Sequence, residues 1–558
     1  MRTDREEVGR TRNVLAELRG SARVLGDVLA VPDLRRAELA FVGFNMAEWA
    51  TFIAVLVYAF EQGGAGAVGL VSVIQLVPAA VFAPLASVLG DRRRREAMLV
   101  VAYGVQVVTM SSTAAALLLD APAVIVYALA MVAATGLTLV RPLHESLLPA
   151  LARSPDQLTA GYVVDGIIEN LSVMAGPALA GAILAVSGPG SVYAAMAGAL
   201  AISTILAARI RTRTTPAAGD ARGRPAIGEV LAGFHVLGRD RRPLLAVGLL
   251  STESFVLGIL DVAIVVLAFE VFGSGQSGAG WLNAAIGAGA LLGSVATVAL
   301  IARRRLAGAM RVGLLLYGLP VALLAGLSGQ GGAAAALAAA GAGMTLVDVT
   351  GRTMLQRLVP DETLSRVFGV LEGAYMISEA AGAAAAAILV AVLDVEGALL
   401  AGGLVLVAPC LLAGRRLAEA DVGPRVPAVQ LKLLHSVPIF APLPAPDLER
   451  VAQHAFAVSA AAGDVVIREG DEGDRFYVIR SGVAVVTRAG APVATLGPGE
   501  CFGEIALLRD VPRTATVTAR TELELLALER RRFLDAVLPH RASLQASDEL
   551  IEARSAGR

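Results

Sequence analysis

The chain has 558 residues, 56% of them hydrophobic and 17% charged, with a formal net charge of −1. That length exceeds a single domain. The apolar share places most of the chain in a bilayer, and the balanced charge gives no global case for a nucleic-acid partner. Cys410 and Cys501, the two cysteines, lie far apart in unlike surroundings. They exclude a disulfide framework and a cysteine-based zinc site, and no metal is expected.

Residues 1–38 form an Arg-rich arm with no apolar core between its charges, so no cleaved signal peptide is expected. Apolar runs follow near 39–60, 66–89, 97–119, 122–140, 162–187 and 190–209. After an Arg-rich linker, 210–242, six more lie near 243–269, 279–301, 307–328, 332–351, 366–391 and 395–414. Each can cross about 30 Å of hydrocarbon at 1.5 Å per residue. The expected architecture is a polytopic α-helical membrane protein with twelve transmembrane helices in two six-helix halves, 39–209 and 243–414. Lys432 is the only lysine, and this Arg, Ala and Gly usage suggests a GC-rich bacterial genome.

Arginines gather in the arm, at Arg92–Arg95, at Arg141 and Arg153, in the linker, at Arg303–Arg305, at Arg352, Arg357 and Arg366, and at Arg415–Arg416. The intervening turns carry no Arg or Lys. The positive-inside rule then puts both termini and the linker in the cytoplasm of a multi-pass inner-membrane protein.

Six spans, a basic linker and six more spans resemble the major facilitator superfamily. Ser87 to Arg95 is similar to that family's G-x-L-a-D-R-x-G-R-R signature, with Ser87 replacing the first Gly and Arg94 the second. In the second half, Gly293 to Arg305 keeps the basic end and lacks the Asp. Arg141-Pro142-Leu143-His144-Glu145-Ser146-Leu147-Leu148-Pro149-Ala150-Leu151 is similar to a stretch of the drug- and siderophore-exporting branch. The resemblance implies transport, by export, of a small molecule not named by the sequence. It also implies a cytoplasmic gate at Asp91, Arg92 and Arg95. The positive-inside rule explains those arginines without a gate and leaves Asp91 unexplained.

A charged side chain at mid-bilayer costs about 2.5–3.5 kcal/mol on insertion scales, so it usually faces a cavity or a partner. Glu48, Asp165, Glu169, Glu253 and Asp261 are the candidates for proton coupling, and Asp348, Glu372 and Glu379 also fall within spans. Asp165 and Glu169, four apart, share a helix face. Proton-coupled antiport is one reading. Ion pairing between helices, with Arg141 or Arg352, is the other. Gly287-Ala288-Gly289-Ala290 and Ala381-Gly382-Ala383 suit close helix approach, whether for rocking motions or for tight packing alone.

Residues 415–430 form a short hinge stiffened by Pro424 and Pro427. A soluble domain, 431–558, begins with a helical pattern at Leu431 to Leu448. Short strands follow at Val465–Ile467, Phe476–Ile479, Val483–Val486, Pro492–Leu496 and Glu522–Leu528, and two helices after them. Glycines punctuate the strands, predicting a jelly-roll-like β-roll with flanking helices. Within it stands Phe502-Gly503-Glu504-Ile505-Ala506-Leu507-Leu508, then Pro512-Arg513-Thr514-Ala515-Thr516-Val517. Gly503 permits a backbone conformation closed to other residues. Turned N–H groups after it would form an anion-binding concavity, and Arg513 offers a planar fork for a phosphate. The plainer reading is a turn with a surface Arg–Glu pair.

This string resembles the phosphate-binding cassette of cyclic-nucleotide-binding domains, and that resemblance covers about 431–555. It implies that Glu504 holds the ribose 2′-hydroxyl and Arg513 the cyclic phosphate. Backbone groups at Gly503, Ile505 and Ala506 would complete the cradle, with Thr514 and Ala515 beside it. Thr514 stands where Thr favours cyclic GMP in some eukaryotic members; the bacterial composition favours cyclic AMP. The resulting expectation is a secondary transporter regulated by a cytosolic cyclic nucleotide. The rivals are a nucleotide-gated channel, a non-transporting membrane sensor and a transporter with a purely structural tail. No channel filter string is present, and no nucleophile–base set, metal cluster or Walker-type loop suggests an enzyme.

Overall fold

A computed structural model of the chain describes residues 30–90, 95–152, 155–211, 234, 237–238, 241–301, 306–359, 361–412, 428–443, 445–538 and 540–556. The chain divides into two compact units, Met1–Asp421 and Val422–Arg558.

The first unit is all helix. Its elements are α1 Pro32–Gly90, α2 Arg95–Leu118, α3 Ala123–Leu151, α4 Pro155–Leu184, α5 Pro189–Ala208, α6 Arg241–Val266, α7 Gly275–Ile301, α8 Leu306–Leu324, α9 Gln330–Leu358 and α10 Asp361–Leu412. A π-helical turn, Leu267–Val271, extends α6. Among the described residues, nine helices are long and apolar enough to cross a membrane. Two of the elements are broken internally. Gly63 and Gly64 interrupt α1, and Asp394, at φ +57°, interrupts α10. Each break falls between two runs that the sequence separates as successive spans.

Outward-facing positions explain why these helices are apolar all round. Val124, Leu292 and Val392 are each at least 70% exposed. In water such a coat would aggregate; against lipid it is at home. Element edges differ from the sequence expectation in two informative places. Helix α1 starts at Pro32, inside the expected arm, because Pro suits a first helical turn. Helix α3 runs to Leu151, well past the expected end near 140. Pro142 and Pro149 sit inside it, which membrane helices tolerate. That extension carries Arg141 and His144 into the bundle.

Small residues set the distances between helices. Gly181 on α4 faces Gly280 on α7 backbone to backbone, and Gly287 on α7 meets the backbone of Met174 on α4. A Cβ on Gly289 would overlap Ala338 on α9, and one on Gly382 would overlap the Phe255 carbonyl on α6. The glycines singled out in the sequence therefore pack tightly.

The second unit starts with two short helices, α11 Ala428–Ser436 and α12 Ala445–His454. Eight strands follow: β1 Phe456–Ala460, β2 Val465–Ile467, β3 Arg475–Ser481, β4 Ala484–Arg488, β5 Ala491–Leu496, β6 Cys501–Phe502, β7 Thr516–Ala519 and β8 Leu523–Glu529. They form two four-stranded antiparallel sheets, ordered β1-β8-β3-β6 and β2-β7-β4-β5. A short helix, α13 Glu504–Arg509, lies between β6 and β7. Helices α14 Arg530–Val537 and α15 Arg541–Ala556 end the chain's described part.

The central residues of β3, Phe476–Ile479, and of β8, Leu525–Leu528, are apolar on both faces because both faces are covered. Phe476, Val478, Leu526 and Leu528 pack with the helices. Tyr477, Ile479, Leu525 and Ala527 pack between the sheets. On the helix side Phe476 stacks on Phe533 at 4.6 Å, with Phe440 edge-on at 5.4 Å from Phe476. Strand β1 escaped the sequence pattern. Phe456 and Val458 suit a strand, but Ala457, Ser459 and Ala460 dilute the signal, and pairing with β8 supplies the conformation.

Gly382→Ala is expected to destabilise the detergent-solubilised protein by about 1–3 kcal/mol, a fall of about 2 °C or more in unfolding temperature. Gly166→Ala, with open space at its Cβ, should be neutral or stabilising. Scanning fluorimetry of both variants checks the pair.

Candidate functional site

The cassette crosses from one sheet to the other. It leaves the first sheet at Phe502 on β6, turns at Gly503, forms α13, and joins the second sheet at Thr516 on β7. Gly503 has φ +93°, a conformation open to glycine. A Cβ there would come within 2.7 Å of Arg513 Nη1 and 3.0 Å of the Arg475 carbonyl oxygen. Glycine is thus required twice over, by torsion and by space. Ile505 and Ala506 stand in the first turn of α13, where amide groups have no partner within the helix.

Arg513 is held from several sides. Its backbone N–H donates to the Asp471 carbonyl at 2.8 Å, and its carbonyl accepts from Gly470 N–H at 2.9 Å. Its guanidinium donates to the carbonyls of Gly503 (3.0 Å) and Arg475 (2.7 Å) and to Asp474 Oδ1 (3.3 Å). The side chain is 4% exposed, whereas that of Asp474 is 65% exposed. Burial pulls the guanidinium's pKa below its usual range, against the opposing influence of Asp474, Tyr477 and Glu504. Arginine stays charged regardless. The result is a dehydrated cation whose salt bridge to Asp474 is solvent-screened, a setting that favours an added anion.

Arg513 opens onto a cavity of about 380 Å³. Gly503, Glu504, Ile505, Ala506, Arg513, Thr514 and Ala515 all line it. Ile467, Val486, Leu496 and Val517 form an apolar wall, and Arg488 on β4 adds a second guanidinium. Arg488 Nε donates to the Thr514 carbonyl at 3.3 Å. Glu504 is 1% exposed. An anion-binding end, a buried carboxylate suited to hydroxyls and an apolar wall match the parts of a mononucleotide. All seven residues expected from the sequence are brought together. Arg488, Asp474 and the Arg475 carbonyl were not singled out. The first two are ordinary charged residues by sequence, and only the fold brings them to the cassette.

Residues 39–307 match the Major Facilitator Superfamily, and residues 457–540 match the cyclic nucleotide-binding domain. The chain joins a Major Facilitator Superfamily domain to a cyclic nucleotide-binding domain. The uncharacterized MFS-type transporter YfiS of Bacillus subtilis is 28% identical over 67% of this chain and 91% of its own length. The cyclic nucleotide-binding domain is similar to the cAMP-dependent protein kinase regulatory subunits of Yarrowia lipolytica and Dictyostelium discoideum. The first is 43% identical over 19% of this chain, the second 47% over 13%. The matched segments span only 30% and 24% of those regulatory subunits.

In the first unit the charged candidates fall into separate groups. Arg141 on α3 donates to Glu48 Oε2 at 2.8 Å, to Glu169 Oε1 and to Asn45 Oδ1 at 3.2 Å. One cation thereby ties α1, α3 and α4. Arg352 does the same for Asp348 (2.7 Å) and Glu372 (2.8 Å), joining α9 to α10. For these four carboxylates the ion-pairing reading describes what is seen. Asp165 is not with its helix neighbour Glu169; it meets His144 Nε2 at 2.9 Å.

On α6, Glu253 is 1% exposed and accepts from the Tyr375 hydroxyl. Asp261, 4% exposed, stands beside Glu379 of α10, with Oδ2 buried and unpartnered. Neither shows an arginine or lysine ion pair among the described residues. Glu38, His144 and Tyr375 were missed as site residues. Glu38 fell at the edge of the expected arm, and His144 sat unremarked in a motif. The expected gate residues Asp91 and Arg92 lie outside the described residues. Arg95 begins α2, and its side chain is likewise outside the description.

Arg513→Ala is expected to weaken cyclic-nucleotide binding by the full-length protein about 100-fold or more, since losing a buried charged contact costs about 2–5 kcal/mol. Calorimetric titration of the purified protein measures it.

Proposed function

We propose that the protein is a secondary transporter whose conformational equilibrium is biased by a cyclic nucleotide bound in its C-terminal domain. The observation that carries this reading is the shared cavity, in which Gly503, Glu504, Arg513 and Thr514 meet on a chain that also holds a Major Facilitator Superfamily domain. A ligand shifts an equilibrium only by binding one state better, so the nucleotide must prefer one transport conformation.

Twelve spans in two halves, with both termini cytoplasmic in a bacterial inner membrane, belong to the same proposal. The breaks at Gly63–Gly64 and at Asp394 support the count, and the arginine sorting supports the orientation. Proton coupling is assigned to Asp261 with Glu379 and to Glu253. Adjacent carboxyl groups with no cation between them are suited to holding a shared proton. Glu48 and Glu169 are instead both paired with Arg141. Export of a small molecule is proposed from the branch resemblance at Arg141–Leu151.

Cyclic AMP is the proposed nucleotide, on the similarity to cAMP-dependent protein kinase regulatory subunits. Cyclic GMP is the second reading, and Arg488 is the observation that favours it. An arginine fork matches the O6 and N7 acceptors of guanine, and Arg488 lines the cavity beside Thr514.

Efflux of a panel of cationic dyes from proteoliposomes, with and without saturating nucleotide inside the cytoplasmic-face compartment, tests the coupling. The rate is expected to change about 5-fold or more, within the usual range of allosteric coupling. The change should vanish in Arg513→Ala with the basal rate retained. Equal rates with and without nucleotide would refute regulation, and competition between the two nucleotides decides the base.

A further inference from the structure

Three helices of the first unit bring Glu38, His144 and Asp165 together away from the arginine clusters. Glu38 lies early in α1, His144 late in α3 and Asp165 early in α4. They are 2%, 0% and 8% exposed. His144 Nε2 is 2.9 Å from Asp165 Oδ1 and 4.0 Å from Glu38 Oε2. One atom from each residue fits within a 4.8 Å set. Both Glu38 carboxyl oxygens are buried and have no hydrogen-bond partner. The Tyr103 hydroxyl, on α2, is buried and unpartnered as well, and it interacts electrostatically with Glu38 and Asp165.

Ionised together, Glu38 and Asp165 would set two negative charges against one imidazole nitrogen in a dry interior, where Arg141 is committed to Glu48 and Glu169. Burying charge without a counter-charge is costly, so the cluster calls for a cation. We propose that Glu38, His144 and Asp165 form a binding site for one divalent first-row transition metal, of the Zn²⁺, Mn²⁺ or Co²⁺ class.

Two carboxylates, a neutral imidazole and a divalent ion sum to zero charge, which suits a dehydrated site. The mixed nitrogen and oxygen donors fit this class. Ca²⁺ and Mg²⁺ prefer more numerous oxygen ligands. With metal–ligand bonds of about 2.0–2.2 Å, neighbouring ligand atoms in a tetrahedral site stand about 3.3–3.6 Å apart. The two His144 distances, 2.9 and 4.0 Å, bracket that value. His144 Nδ1 has no hydrogen-bond partner. The ring is oriented instead by Phe41, stacked 4.1 Å away and nearly parallel. Sequence reading expected no metal because it sought cysteine ligands, and these three ligands lie far apart in sequence. A bound ion would fasten the starts of α1 and α4 to the end of α3.

The test uses the full-length protein in detergent, tag removed and stripped with chelator, titrated with Co²⁺ alone. Expected is one equivalent with the visible spectrum of nitrogen and oxygen ligation, displaced by Zn²⁺. Glu38→Gln, Asp165→Asn and His144→Gln should each weaken binding more than about 100-fold, beyond the 10–100-fold cost of losing an outer-shell partner. Retained cyclic-nucleotide binding and unfolding temperature show that the variants fold. X-ray absorption of the wild-type Co²⁺ form should show one imidazole among oxygen ligands, a result that needs no variant. The proposal is overturned by no stoichiometric binding, by binding unchanged in Glu38→Gln and Asp165→Asn, or by a spectrum with two or more imidazoles.

Discussion

A charge removed from water must be met by another charge or a dense set of dipoles, and this constraint organises both units. Where the match is complete, the side chain acts as a fastening. Arg141 has two carboxylates and an amide oxygen, and Arg352 has two carboxylates. Where the match is incomplete, the structure marks a place for something else. Arg513 has two carbonyls and one largely exposed aspartate, whose charge water screens. Glu38 and Asp165 share one histidine, which leaves negative charge in surplus. The cassette thus holds a buried guanidinium and the helix cluster two buried carboxyls, environments of opposite character.

Placement of the nucleotide cavity follows from the two-faced sheet. Because β3 and β8 are covered on one side by Phe440 and Phe533, their other side is free to build a core against the second sheet. The cassette is the bridge between those sheets. The loop at Gly470–Asp474 clamps Arg513 through backbone bonds and through Asp474, and Arg530 ties the same loop to α14 by donating to the Gly473 carbonyl at 3.3 Å. Arg513 is therefore mechanically joined, through this loop, to α14.

Much of this was legible in the sequence. Apolar runs, arginine sorting and the cassette string announced a membrane unit and a nucleotide domain, because each is a local pattern. Gly503 and Arg513 could be read since torsion and phosphate chemistry dictate residue type at fixed spacing. Pairing across helices could be read only in part: Arg141 and Arg352 stood out as partners, but which carboxylate each would take did not. Nothing local says that Asp165 turns to His144 while Glu169 turns to Arg141. Glu38 seemed part of a charged arm until the helix was seen to begin at Pro32. Arg488 looked like one more polar strand residue, and only the closing of the roll brings it to the cavity.

The glycine contacts between α4 and α7 have one more consequence. Helices usually lock by inserting side-chain ridges into grooves, and moving one past the other means lifting each ridge over the next. At Gly181 and Gly280, and at Gly287 against Met174, there is no ridge to lift. Backbone lies on backbone, and no rotamer has to change as the two surfaces slide. Shear between α4 and α7 therefore meets no side-chain ridge from these glycines.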